Sequence, residues 1–261
     1  MLDFAPMKEM RVRYFSAALC LLAFILAQIF QELASLFWIP SPHSPQDDLL
    51  TRLMAVDQVR ALLVMSSILF LTVPYTVLAL RYRKVAPVVS MLGLIFAVAF
   101  VGFEISARSI DFFVVGRHWA HQFHDAAAGP ARDAMLQRFA LWNEIVEGWY
   151  FPLMLAYLLA SCSFAFATLK DSDRWHKVAT LAFSLNALRL LGRILSTFAG
   201  QTWLSGLNDK FYFPVVFVIN VLLMAWFFHL ARTATDEPMK TTDSSRMRPA
   251  SSQSGVTSNK R

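Results

Sequence analysis

The stretch from Val85 to Ala107, VAPVVSMLGLIFAVAFVGFEISA, decides the fold. From Val85 through Phe103 it holds no charged residue, and at ~1.5 Å rise per residue a helix of this length crosses the ~30 Å hydrocarbon core of a bilayer. Arg81, Arg83 and Lys84 stand directly before it, and Glu104 and Arg108 come only at its far end. Five further runs read the same way, over residues 14–38, 59–80, 145–169, 178–199 and 211–231. Composition agrees: 56% of the 261 residues are hydrophobic, 16% are charged and the mean hydropathy is +0.47, whereas a soluble domain carries about a quarter charged residues. The runs are uniformly apolar and rich in Leu, Ala and Phe rather than alternating, so they are read as helices and not barrel strands. The fold class expected is all-α, a polytopic membrane helix bundle of about six transmembrane helices, in one bundle domain over residues 1–235.

Lys and Arg orient such a bundle. Fifteen of them fall before the first run, between the second and third, between the fourth and fifth, and after the sixth; seven fall on the alternate side, at Arg52, Arg60, Arg108, Arg117, Arg132, Arg138 and Lys210. The positive-inside rule then places both termini in the cytoplasm, in a multi-pass protein of the cell membrane. Lys8, Arg11 and Arg13 before the first run resemble a signal-peptide start, but the apolar stretch is long for a secretory core and lacks a small-x-small site, so it is expected to remain as an anchor. The net charge of +6 is thus largely a topology signal. No clustered basic face with interleaved aromatics marks a nucleic-acid binder; the partner in view is the lipid bilayer.

Three stretches lie outside the runs. Pro40, Pro42 and Pro45, followed by Asp47 and Asp48, make a turn-rich first outer loop. The second outer connection, 109–143, is expected to be partly helical, with Phe112, Phe113, Trp119 and Phe123 laid on the membrane surface and Gly129–Pro130 breaking it in two. The tail over 236–261, dominated by Ser, Thr, Lys and Pro, is expected to be disordered.

Signatures of chemistry are few. Cys20 and Cys162 have no metal-ligand company and read as small hydrophobes. No Gly-rich phosphate loop, nucleophile elbow or HExxH pattern appears, which favours a non-enzyme, and no cofactor is implied. His118, His121 and Asp125 stand at helical spacing and could hold zinc, but a further ligand is not located, and an interfacial role suits the same residues. His43, His176 and His229 read as loop or interface residues by position.

The informative residues are polar ones inside the runs. Glu104 and Arg108 close the third run; Asn143, Glu144 and Glu147 open the fourth; Asn186, Arg189 and Arg193 share one face of the fifth; Gln28, Gln31 and Glu32 lie in the first and Asn220 in the sixth. All fall at mid-depth or in the outer half, where a charge is costly unless paired or hydrated. Arg189 sits about eleven residues into its run, roughly 16 Å deep. An outward-opening polar cavity is expected, with Arg189 or Arg193 within salt-bridge distance of Glu104, Glu144, Glu147 or Glu32. The pairing could serve a ligand or act as an architectural clamp.

The layout resembles a family of small bacterial six-helix membrane proteins known only as a domain of unknown function. The features that carry the resemblance are the wide loop Pro40 to Asp57, the tight basic turn Arg81 to Lys84, and the aromatic-proline stretch Trp149, Tyr150, Phe151 and Pro152, over roughly residues 8 to 234. It implies a fold and no catalytic residues. Two function classes follow from the residues: a membrane protein binding a small amphiphilic or anionic ligand as carrier, sensor or accessory subunit, and an intramembrane lipid-modifying enzyme using Glu144 or Glu147 as acid/base, or His118, His121 and Asp125 as metal ligands.

Reporter fusions after Lys84 and Lys177 should report cytoplasm, and fusions at His43 or Ala127 the opposite side; a C-terminus outside the cytoplasm would overturn the six-span reading.

Overall fold

The computed structural model describes residues 7–171 and 175–234, and these are helical throughout apart from short connections. In chain order they form α1 (Met7–Phe37), α2 (Pro45–Thr51), α3 (Ala55–Phe70), α4 (Thr72–Tyr82) and α5 (Pro87–Ile110), then a π-helical segment Asp111–Trp119 leading into α6 (Ala120–Asp125), and finally α7 (Pro130–Leu169), α8 (His176–Phe198) and α9 (Thr202–Thr233). Among the described residues, six stretches are long and apolar enough to cross a membrane: Glu9–Phe37, Ala55–Tyr82, Pro87–Asp125, Pro130–Leu169, His176–Phe198 and Phe211–Thr233. The chain is a multi-pass membrane protein with an all-α bundle. The tail over 236–261 lies outside the described residues.

Proline sets the helix boundaries. Pro45, Pro87 and Pro130 each stand in the first turn of their helix, where the missing N–H costs nothing. Ser44 caps α2 by accepting from the Asp47 N–H. The second span is two helices, not one: Pro74 would set its ring against the carbonyl of Phe70, and the chain breaks there between α3 and α4.

The spans pack in chain order as a closed ring: α1 against α3 and α4, these against α5, then α5 on α7, α7 on α8, α8 on α9, and α9 back on α1. The start of α1 at Met7 and the end of α9 at Thr233 belong to one end of this ring, here the terminal end; the opposite end carries α2 and the α6–α7 hairpin, the loop end. Small residues let the helices approach closely. A Cβ added at Gly93 would meet the Phe164 ring at 3.0 Å, and Phe164 is fully buried between Tyr75 and Phe183, with ring centroids 5.6 and 5.5 Å away.

At the terminal end the ring is tied by a polar cluster. Arg81 donates to the Tyr14 hydroxyl at 2.9 Å and reaches Asp171 at 3.4 Å; His176 Nε2 lies 2.6 Å from Asp171, and His176 Nδ1 shares a hydrogen bond of 3.0 Å with the Tyr82 hydroxyl. His176 is therefore not the loop or interface residue its position implied: it is 1% exposed, packed against Trp226.

At the loop end, the segment expected to lie on the membrane surface is instead a direct continuation of α5. The π-helical stretch carries α5 onward without a break, so that Pro87–Asp125 spans 39 residues, about 58 Å of helix at ~1.5 Å per residue and well beyond a ~30 Å core. The first reversal comes at Gly129, whose φ of +138° favours glycine, followed by Pro130. The projecting hairpin shares a small core with α2, built on Leu49, Val115, Phe123 and Phe139.

Gly93→Ala should lower stability by about 1–3 kcal/mol, because the buried Phe164 ring has no room to yield. Gly102→Ala, where an added Cβ meets nothing within 4 Å, should instead be neutral or stabilising by up to ~1 kcal/mol. Thermal unfolding in detergent compares the two.

Candidate functional site

The axis of the ring holds a cavity of about 370 Å³ to which all six spans contribute. Its deep floor is aromatic and amide: Phe24 of α1, Phe100 of α5, Tyr157 of α7, Asn186 of α8 and Asn220 of α9. Phe100 stacks on Tyr157 with centroids 4.0 Å apart, and the Tyr75 and Tyr157 hydroxyls meet at 3.2 Å beneath them. Nearer the loop end the wall turns polar, with Gln28, Gln31, Glu104, Arg108, Tyr150, Arg189, Arg193 and Tyr212. The polar residues converge because each helix turns one face to the axis, and on α8 that face repeats at Asn186, Arg189/Leu190 and Arg193.

The ion pairs differ from those expected. Glu104 pairs with Arg108 on its own helix, Nε to Oε1 at 2.9 Å. Arg189 donates through Nε and Nη2 to Asn186 Oδ1, at 3.2 and 3.1 Å, and Asn186 in turn donates to Ser161 at 2.8 Å. Arg189 and Arg193 both sit 5.2 Å from the centroid of the Tyr212 ring. Among the described residues, neither arginine has a carboxylate within 4.0 Å, and the expected bridge to Glu104, Glu144, Glu147 or Glu32 is absent there. Glu104 is captured because an i,i+4 partner on one helix needs no second helix to deliver it.

Glu144 and Glu147 are not in the cavity. Both are exposed, since at ~100° per residue Glu144 points roughly 160° away from Val146, and Glu147 roughly 100° away, while Val146, Tyr150, Leu153 and Tyr157 form the axial face of α7. Glu32 is half-buried and outside the lining. Asn220 does line the cavity, and its Nδ2 donates to Val216 O at 2.7 Å. The sequence reading missed Tyr150 and Tyr212; their spacing from Leu153 and Val216 was the available signal, hidden by the general abundance of aromatics.

Above the cavity lies a vestibule of about 330 Å³, and Arg108 and Tyr150 line both spaces. Here the charges are paired. Arg52 bridges to Asp111 at 2.6 Å and reaches Asp48 at 3.6 Å, Trp142 donates to Asp111 at 3.3 Å, and Arg60 Nε donates to Asp57 at 2.9 Å. Burial pushes the Asp48 carboxyl up, against the opposing pull of Arg52. Burial also works against the Arg52 cation, but Asp111 and Asp48 outweigh it and hold the group above its ordinary value. The π-helical turn brings Asp111 to this position; a Cβ on Gly116 would already touch the Asp111 carbonyl at 3.5 Å.

The histidine segment builds no comparable site. His118, His121 and Asp125 are exposed, His118 shares a 3.1 Å hydrogen bond with Gln122, and among the described residues no three His, Cys, Asp or Glu side chains come together as a metal set.

The chain was compared with known proteins at three levels: no family model, no curated protein and no solved structure matches it.

Proposed function

We propose that this membrane protein binds a small amphiphilic anion in the axial cavity, as a carrier, sensor or accessory subunit, with both termini in the cytoplasm and the loop end outside. The observation that carries this reading is the pair Arg189 and Arg193: two half-buried guanidiniums on one helix face, one turn apart, both over Tyr212, with no carboxylate within 4.0 Å among the described residues. Two like charges at this depth are costly without an anion between them. Every arginine of the vestibule, by contrast, has its carboxylate. An anionic headgroup fits the arginine level, where a planar donor fork recognises carboxylate, sulfonate or phosphate. The apolar floor around Phe24, Leu71 and Phe100 takes a short hydrocarbon portion. The buried Gln31 Oε1, which has no hydrogen-bond partner, accepts from a hydroxyl or amide on the same ligand. An architectural clamp would have paired the arginines internally, as the vestibule does.

The test uses an alkyl phosphate and an alkyl trimethylammonium of equal chain length, added to the purified chain in neutral detergent. The anion should raise Tm and the cation should not, a ligand at about a hundred times its Kd contributing ~2.7 kcal/mol. Arg189→Gln/Arg193→Gln should fold at least as well as the parent, because it removes a like-charge pair, and should lose about a hundredfold in affinity for the alkyl phosphate. An equal response to the cation, or an unchanged response in the double variant, would sink the reading.

A further inference from the structure

On α1 the residues that line the axial cavity are Phe24, Gln28 and Gln31, at the spacing that keeps one helix face toward the axis. Gln31 Oε1 is buried and has no hydrogen-bond partner. Of the buried polar side-chain atoms without a partner among the described residues, it alone belongs to the cavity lining. An acceptor sealed from water without a donor costs the full desolvation of its oxygen, and such an atom beside a cavity calls for a donor from outside the chain.

The level of Gln31 in the bundle follows from the terminal-end cluster. Arg81 reaches both Tyr14 of α1 and His176 of α8, so the two helices share a reference level there, and both run from it toward the loop end. Gln31 lies as many residues beyond Tyr14 as Arg193 lies beyond His176. At ~1.5 Å rise per residue the two therefore stand at the same depth. An anion held by Arg193 is thus level with an unused acceptor, and a ligand that satisfies both carries its donor within a few bonds of its charge. That donor is neutral, because an ammonium at this level would face the guanidiniums of Arg189 and Arg193. An amide N–H would bring a carbonyl that must be buried with it, whereas a hydroxyl adds one small group. An ordered water on Gln31 would satisfy the same oxygen but would be indifferent to any donor on the ligand.

We propose that the ligand of the axial cavity is an anionic amphiphile with a hydroxyl close to its charged group, and that Gln31 Oε1 accepts from this hydroxyl while Arg189 and Arg193 hold the anion. The inference rests on the anion reading of the cavity and adds the headgroup class to it. Gln31 is then a specificity residue, which selects hydroxylated headgroups over plain ones.

Three phosphates of one chain length test this by titration into the full chain in neutral detergent: a 2-hydroxyalkyl phosphate, its 2-methoxy ether and its 2-amino analogue. The hydroxy compound should bind about tenfold more tightly than the ether, which keeps the oxygen and loses the proton. The amine, an ammonium at neutral pH, should bind no better than the ether. In Gln31→Leu the ratio of hydroxy compound to ether should fall to about one. The Tm of that variant without ligand should hold, since the substitution removes a buried acceptor that has no partner. If Tm falls, Gln31→Met, which keeps the side-chain length, carries the test with the same expected ratio. Equal binding of hydroxy compound and ether by the parent, tighter binding of the amine, or an unchanged ratio in the Gln31 variant would overturn this inference and leave the anion reading standing. Failure of all three phosphates to bind would overturn both.

Discussion

A guanidinium placed near the middle of a membrane-spanning helix must be hydrated, paired or bonded, because hydrocarbon offers it nothing. Arg189 and Arg193 impose that requirement on the whole bundle. The ring meets it by leaving its axis hollow at their level and by setting amides and phenols there: Asn186 accepts from Arg189, and the Tyr212 face takes both cations. A tightly filled axis would have buried two unneutralised charges. The six spans therefore close around a polar cavity of about 370 Å³, while their close contacts, such as Gly93 on Phe164, are kept between neighbouring helices.

The two ends of the bundle are finished differently. At the terminal end, Arg81, Asp171, His176 and Tyr82 join three spans through short hydrogen bonds around a buried imidazole. At the loop end the closure is a separate small core: α2 and the projecting hairpin pack Leu49, Val115, Phe123 and Phe139 together, with Arg52 over the Phe139 ring at 5.3 Å and bridging to Asp111. The vestibule beneath this core shares Arg108 and Tyr150 with the cavity. Satisfied ion pairs thus surround the approach, and the arginines with no carboxylate among the described residues stand at its inner end. Under the proposed function, that gradient would let an anion enter by exchange of partners rather than by attraction to bare charge at the surface.

Most of the polar lining was legible from the sequence because helical spacing alone places Asn186, Arg189 and Arg193 on one face, and depth alone makes that face expensive. Glu104 and Arg108 were legible for the same reason. Glu144 and Glu147 were not, since their depth matched the cavity while their azimuth did not: a span buried against neighbours on two sides has several faces without lipid, and hydropathy does not say which of them looks inward. His176 failed in the opposite way, as its position at a helix start resembles an interface, and only the packing of Trp226, Tyr82 and Asp171 shows it sealed.

By itself the sequence determined that the chain carries six apolar runs able to cross a bilayer as helices, and that charge must be accommodated inside them, because a bilayer leaves an unbroken apolar run no alternative to a hydrogen-bonded helix. Only the tertiary structure decided which partners those charges take. Arg108 takes Glu104 from its own helix, Arg52 takes Asp111 across the loop end, and Arg189 and Arg193 share the Tyr212 ring. The reason is geometric: whether a charge meets a partner on another helix or keeps one on its own depends on the rotation of each helix about its axis relative to the next, which is set by side-chain packing across the ring and leaves no trace in the hydropathy of either helix alone.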